Sequence, residues 1–165
     1  MLLTLAPSSA AQDADAFARS VVPLLKDVRR GIESKVSIEP ATLPPSPITG
    51  RSSTLFAFRV GVKSIDVPPG VVEAMDRLLR WDARQPLSEA DRELVERWRQ
   101  ALRIKILGRL AATGAKGVGC DDQCVTAQLT SPGALFGRSR REQIDGRNEL
   151  LLNALSEAVS DSPAA

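Results

Sequence analysis

Histidine and tyrosine are both absent from this chain of 165 residues, and aromatic residues make up only 4% of it. Histidine is the side chain that most often acts as a general base near neutral pH, so a Ser-His-Asp or Cys-His arrangement cannot form within one chain. Zinc sites with histidine ligands are excluded for the same reason. Four Phe and two Trp are too few for a base-stacking surface. We therefore expect no catalytic residues, no cofactor and no metal site.

Long apolar runs and an early positive charge are missing as well. The first six residues are largely apolar, but no run approaches the ~20 residues that a membrane helix needs. No lysine or arginine precedes Arg19, so the charged region of a signal peptide is lacking. Two cysteines in such a chain favour reduced thiols. These observations predict a cytoplasmic protein with no membrane contact; residues 1–12 as the remnant of a cleaved signal are the alternative.

The rest of the composition is that of an ordinary folded chain, with 43% hydrophobic and 25% charged residues. Its length corresponds to about one domain, so we expect a single domain over residues 1–165. Residues 39–50 contain four prolines and should form an extended connector, and residues 160–165 read as a polar tail. A net charge of +2 is not the strong basic footprint of a typical nucleic-acid binder.

The first half of the chain predicts a kinked helix followed by a strand. Apolar residues recur at helical spacing over 17–32, with Pro23 inside the pattern. Because a proline there removes a backbone hydrogen bond and clashes with the preceding turn, the helix should kink or break before it ends near 31–34. Residues 54–62 then alternate as a strand does, and a bulge is expected at Gly61, where the apolar parity changes.

The second half predicts two central helices, a short second strand and a C-terminal helix. Pro68-Pro69 opens the first helix, Ser88 caps the next, and a capping box begins at Ser139. Alternation over 125–129 indicates the strand. The fold class should therefore be α+β and helix-dominated. Two strands are too few to stand alone, so they either lean on the helices or are completed by another chain.

The longest predicted helix has two apolar stripes. One stripe begins at Leu94; the other, on roughly the opposite side, consists of Ile104, Leu107 and Leu110. One straight helix would have to bury both sides. Either it bends near Arg103, or its later half packs against the final helix or another chain. We therefore take the second stripe as the candidate partner-binding surface.

An arginine cluster at the start of the final helix is a candidate anion or nucleic-acid site. Its members are Arg138, Arg140, Arg141 and Arg147. Helix N-termini attract anions, and arginines add charge-assisted hydrogen bonds. The alternative is a solvated face whose charge is neutralised by neighbouring acids.

A thiol pair, Cys120 and Cys124, frames Asp121 and Asp122. It could act as a thiol pair or as half of a metal site, but zinc needs four ligands and a second chain would have to supply the rest. A disulfide across this spacing fits a turn and would be strained in a regular helix. The alternative is a surface loop in which the acids cap a turn beside two half-buried thiols.

Residues 62–80 form a strand-helix segment that resembles the strand and first helix of ribbon-helix-helix repressors. In that family, paired strands from two chains enter the major groove of DNA. The resemblance implies that Lys63 and Asp66 lie near a DNA-reading strand. The segment departs from the family in two ways: Lys63 shares strand parity with the apolar Ile65 and Val67, and the turn to the next helix is longer.

These observations together predict a non-enzymatic interaction or assembly subunit, cytoplasmic and bacterial, that associates with itself or with a protein partner through its helix faces. Two features support it: the lack of a usual catalytic set, and a long helix with two apolar sides. A DNA-binding regulator of ribbon-helix-helix type is the alternative, with nucleic acid as its partner. Enzymatic chemistry through carboxylates or thiols ranks third.

Overall fold

The computed structural model describes residues 9–36, 54–60, 62–113 and 120–161. In chain order the elements are α1 (Ser9–Val21), α2 (Leu25–Arg30), β1 (Ile32–Val36), β2 (Thr54–Val60), β3 (Lys63–Val67), α3 (Pro69–Arg80), α4 (Glu89–Ala112), α5 (Asp122–Thr130) and α6 (Arg140–Ser160). The predicted helix-dominated α+β class is confirmed. The expected connector over 39–50 and residues 162–165 of the expected tail lie outside the described residues.

The N-terminal helix breaks where its proline predicts. A 3₁₀ turn over Val22–Leu24 contains Pro23 and separates α1 from α2. The helix ends close to the start of the expected range, at Arg30 with Gly31 as its C-cap, but Ile32, which the helical spacing included, opens strand β1 instead. Gly31 permits this junction: a Cβ there would lie 2.7 Å from the Phe58 ring.

The sheet is antiparallel with strand order β1-β2-β3. The bulge expected at Gly61 falls on a residue outside the described ranges. On either side of it Val60 pairs with Lys63, so the chain reverses between β2 and β3. That reversal explains the change of apolar parity. Phe58 pairs with Ile65 across β2 and β3, so their side chains lie on the same inner face, towards the helices.

The short strand predicted over 125–129 is wrong, because these residues form helix α5. Val125 and Leu129 are four residues apart, which satisfies helical spacing as well as alternation. Both are fully buried. Asp121 supplies the helix cap by accepting a hydrogen bond of 2.9 Å from the Cys124 N–H. The cap and the spacing together favour the helix.

The centre of the core is the packed contact between α4 and α6, which we call the α4–α6 seam. Trp98 is 0% exposed there, and its indole N–H donates a 3.2 Å hydrogen bond to the Leu151 carbonyl. Phe17 of α1 meets the Trp98 ring edge-on, with centroids 5.9 Å apart and planes at 77°. Both helices of the seam begin at predicted caps: Ser88 caps α4, and Ser139 forms a capping box on α6.

Candidate functional site

The second apolar stripe of α4 is divided between the core and the solvent. Leu107 and Leu110 are half-buried and pack against the core, whereas Ile104 is 67% exposed. The helix runs as one element from Glu89 to Ala112. Burial within the chain therefore accounts for two of the three residues, and Ile104 remains as an open apolar position.

A groove of about 420 Å³ lies beside Ile104, between α4 and the C-terminal end of α6. We call it the α4–α6 groove. Ala101 and Ile104 contribute apolar surface, and the charged residues of its walls are Glu96, Arg97, Glu157 and Asp161. The lining is thus an apolar strip within a charged rim, which is the general composition of a protein-binding surface.

Most of the rim charges already have partners within the chain. Glu157 forms a 2.9 Å ion pair with Lys105, and Glu96 forms one of 2.7 Å with Arg99. The pair of Glu157 with Lys105 is partly exposed, and pairs near the surface contribute little to stability or affinity. Asp161, at the end of α6, is exposed. Recognition in this groove would therefore depend mainly on covering Ile104.

The arginines at the start of α6 surround a helix terminus that already carries a capping box. The Ser139 hydroxyl accepts the Glu142 N–H at 3.1 Å, and the Glu142 carboxylate accepts the Arg138 N–H at 2.9 Å. Arg138, Arg140 and Arg141 are all exposed, and Arg140 donates to a backbone carbonyl of the preceding loop at 3.2 Å. An anion here would have to compete with the carboxylate of Glu142.

Arg147 does not belong to this exposed cluster, so its assignment to the candidate anion site is wrong. It is buried and donates hydrogen bonds to the Leu129 carbonyl, to Asn148 and to the Asp27 carboxylate. Burial lowers the pKa of the guanidinium, the Asp27 carboxylate acts in the opposite direction, and Arg140 adds to the lowering. Arg147 therefore ties α6 to α2 and α5 and is not available to a ligand.

Cys120 and Cys124 are joined in a disulfide, so the expectation of reduced thiols is wrong. Cys120 precedes α5 and Cys124 lies in its first turn, so the bond closes the helix start instead of spanning a regular helix. Of the two acids between them, Asp121 caps α5, and Asp122 forms a 2.6 Å ion pair with Arg99. Within the part of the chain that the structure describes, no three metal-binding side chains are grouped.

Sequence reasoning missed a cavity of about 450 Å³ between α1 and α5. Asp13 and Ser20 line it from α1, Asp122 and Thr126 line it from α5, and Phe17 lies at its apolar side. Its two walls come from opposite ends of the chain. No motif spacing could have predicted it, because only the packing of α1 on α5 creates it.

Strand β3 carries the two residues that the repressor resemblance singles out. Lys63 and Asp66 are both exposed. Lys63 pairs with Val60 and so shares the inner face, whereas Asp66 lies on the outward face of the sheet together with a 3.6 Å pair between Arg59 and Glu33. This face therefore mixes both signs of charge.

Comparison of the chain with protein-family models, with curated proteins and with solved structures gives no match. None of the helices in the described ranges is long and apolar enough to cross a membrane.

Proposed function

We propose that this protein is a non-enzymatic interaction or assembly subunit that binds a protein partner in the α4–α6 groove. The observation that supports it is the position of Ile104, which is 67% exposed in the middle of a helix whose other side is buried. Among the described residues, Val62 is the other large apolar side chain with such exposure, and it lies in the turn between two strands. Ile104 is therefore presented on a rigid element, as a docking residue should be.

An apolar side chain of the partner would cover Ile104 and Ala101, with the charged rim excluding water around them. Burying an isoleucine-sized side chain is worth about 1.5–3 kcal/mol, which corresponds to a change of about 10- to 150-fold in affinity. The ion pairs of the rim would contribute selectivity more than affinity.

A DNA-binding regulator ranks second as a function. The exposed Lys63 on β3 favours it, but Lys63 pairs with Val60 on the inner face of the sheet, and the outward face carries the acids Glu33 and Asp66, which would repel phosphates. If DNA is the partner, the protein should retard duplex DNA in gel electrophoresis, and its affinity for the DNA should fall steeply as the salt concentration rises. Lys63→Ala should then weaken binding more than Lys116→Ala, and equal effects would remove this function.

The proposal includes no catalytic residue and no cofactor. A cytoplasmic location stays a prediction, and the disulfide between Cys120 and Cys124 removes the thiol argument for it. Disulfides persist mainly in oxidising compartments.

The test compares the two exposed apolar positions. A photo-reactive amino acid is placed at position 104 or at position 62 in the producing cells, and the protein cross-linked to each position is identified. The purified partner is then titrated calorimetrically with Ile104→Asp and with Val62→Asp, which introduce the same charge at two exposed positions. We expect Ile104→Asp to raise the Kd at least tenfold and Val62→Asp to leave it unchanged. Equal effects, or no saturable partner at position 104, would overturn the proposal.

A further inference from the structure

The outer edge of β3 can be oriented from one hydrogen bond in the neighbouring strands. The Arg59 N–H donates to the Gly31 carbonyl at 3.4 Å, so the backbone groups of Arg59 point towards β1. Backbone direction alternates along an antiparallel strand, so those of Phe58 point towards β3. Phe58 pairs with Ile65, and the backbone groups of Ile65 are therefore used within the sheet.

It follows that Ser64 and Asp66 point their N–H and C=O groups away from β2. Within the described residues these groups have no partner in the sheet, and both side chains are exposed. An outward row of unpaired backbone groups is a template for another strand. Pro68, which has no N–H, follows directly after β3 and limits how far such pairing can extend.

We propose that β3 pairs antiparallel with β3 of a second copy of this chain, about a two-fold axis at Ile65. Ser64 then lies opposite Asp66 of the second copy, and the two exchange both backbone hydrogen bonds. The axis repeats the exchange, so all four outward N–H and C=O pairs are satisfied. The two three-stranded sheets become one sheet of six strands.

The residues along this edge of β3 favour the proposed register over the registers shifted to either side of it. A shift that centres the axis on Asp66 sets two carboxylates opposite each other and places Ser64 against Pro68. A shift that centres it on Ser64 places Asp66 against Val62, beyond the end of the strand. An axis between two residues would set outward groups against inward ones, so it forms no ladder.

The second copy also covers apolar surface that β3 leaves open. Ile65 is half-exposed on the inner face of the sheet. In the proposed register the two Ile65 side chains lie opposite each other in a non-hydrogen-bonded pair, where side chains approach most closely. This surface is separate from the α4–α6 groove, so the inference goes beyond the proposed function and does not depend on it.

The main test removes one backbone donor without touching the β2–β3 pairing. Ser64→Pro deletes an N–H that points outward, a place where an edge strand tolerates proline. Ser64→Ala keeps that N–H and is the matched control. Analytical ultracentrifugation of the full chain, from micromolar to submillimolar concentration, should show a dimer of about twice 17.7 kDa for the wild type and for Ser64→Ala. We expect Ser64→Pro to raise the dimer Kd at least tenfold with an unchanged circular dichroism spectrum.

A charge pair keeps the proposal testable if Ser64→Pro fails to fold. Ser64→Lys sets a cation opposite Asp66 of the second copy and should tighten the dimer, whereas Ser64→Asp sets like charges opposite and should weaken it. An axis at Ser64 would weaken both variants, so opposite signs identify the register.

Cross-linking reports the axis directly, because both native cysteines are tied in the disulfide. In the proposed pair the Cα atoms of the two position-65 residues lie about 4.5 Å apart, which is within disulfide range. Mild oxidation of Ile65→Cys should therefore give a covalent dimer faster than oxidation of Ser64→Cys.

A monomer at every concentration, a dimer that withstands Ser64→Pro, or faster cross-linking at position 64 would overturn the inference. A dimer lost instead in Ile104→Asp would place self-association in the α4–α6 groove.

Discussion

The α4–α6 seam and the outer edge of β3 differ in whether their polar groups find hydrogen-bond partners within the chain. In the seam, Trp98 is fully buried and its one polar hydrogen is donated to the Leu151 carbonyl. At the edge, Ser64 and Asp66 direct backbone groups away from the sheet. The seam is complete within one chain, whereas the edge retains capacity for another strand.

The contrast follows from the two kinds of secondary structure. A helix satisfies the backbone groups of its interior by itself, so two helices need only side-chain packing to form a closed contact. A sheet satisfies its backbone between strands, so its outermost strands always keep one unpaired side. In a small sheet of three strands, such edges are a large part of the whole. Association should therefore involve the sheet more readily than the helical seam.

The largest effect that separates the two regions is expected for Trp98→Ala. The substitution leaves a cavity in the seam and removes the donor to the Leu151 carbonyl. It should lower the free energy of unfolding by about 3–5 kcal/mol, whereas Ser64→Ala at the edge should change it by less than about 0.5 kcal/mol. Urea unfolding followed by circular dichroism measures both. Similar losses from the two variants would break the comparison.

A smaller effect on the free energy of unfolding should distinguish a closely packed glycine of α6 from an open glycine of α4. A Cβ at Gly146 of α6 would lie 2.5 Å from the Phe136 carbonyl oxygen, whereas a Cβ at Gly108 of α4 would have no neighbour within 4 Å. Gly146→Ala should therefore lower the free energy of unfolding by about 1–3 kcal/mol. Gly108→Ala, the matched control in a helix interior, should raise it by about 0.5–1 kcal/mol. If Gly146→Ala is also stabilising, the loop at Phe136 is not held against α6.

An effect of about the same size is expected from the disulfide at the start of α5. Replacing both Cys120 and Cys124 with alanine removes a short covalent loop and should cost about 2 kcal/mol of stability by the chain-entropy account. The melting temperature should fall, and reductant should have no further effect on the variant. Self-association at β3 should be unchanged, because the disulfide lies on α5. A change in the dimer Kd would show that the two regions are coupled.

Predictions from the sequence succeeded where a residue acts on its own local backbone. Pro23 broke the first helix, and Ser88 and Ser139 capped two others at the positions expected. They failed where one pattern fits two structures. Val125 and Leu129 satisfy both alternation and helical spacing, so the alternation predicts a strand where the structure has helix α5.

The candidate site was predictable only in part. Helical projection correctly separated the stripe of Ile104 and Leu107 from the stripe of Trp98, because the angle between side chains is a property of the helix alone. It could not tell that Leu107 would be half-buried and Ile104 exposed. That outcome depends on which side of α4 the rest of the core covers.

The sequence by itself determined the helix-dominated class, the helix caps and the lack of histidine chemistry, since each depends on residue type or on neighbours within a few positions. Only the tertiary structure decided that Arg147 is buried against Asp27, 120 positions away. It also decided which side of β3 stays unpaired. Burial and strand order arise from contacts between distant segments, and hydrophobic periodicity carries no information about which segments meet.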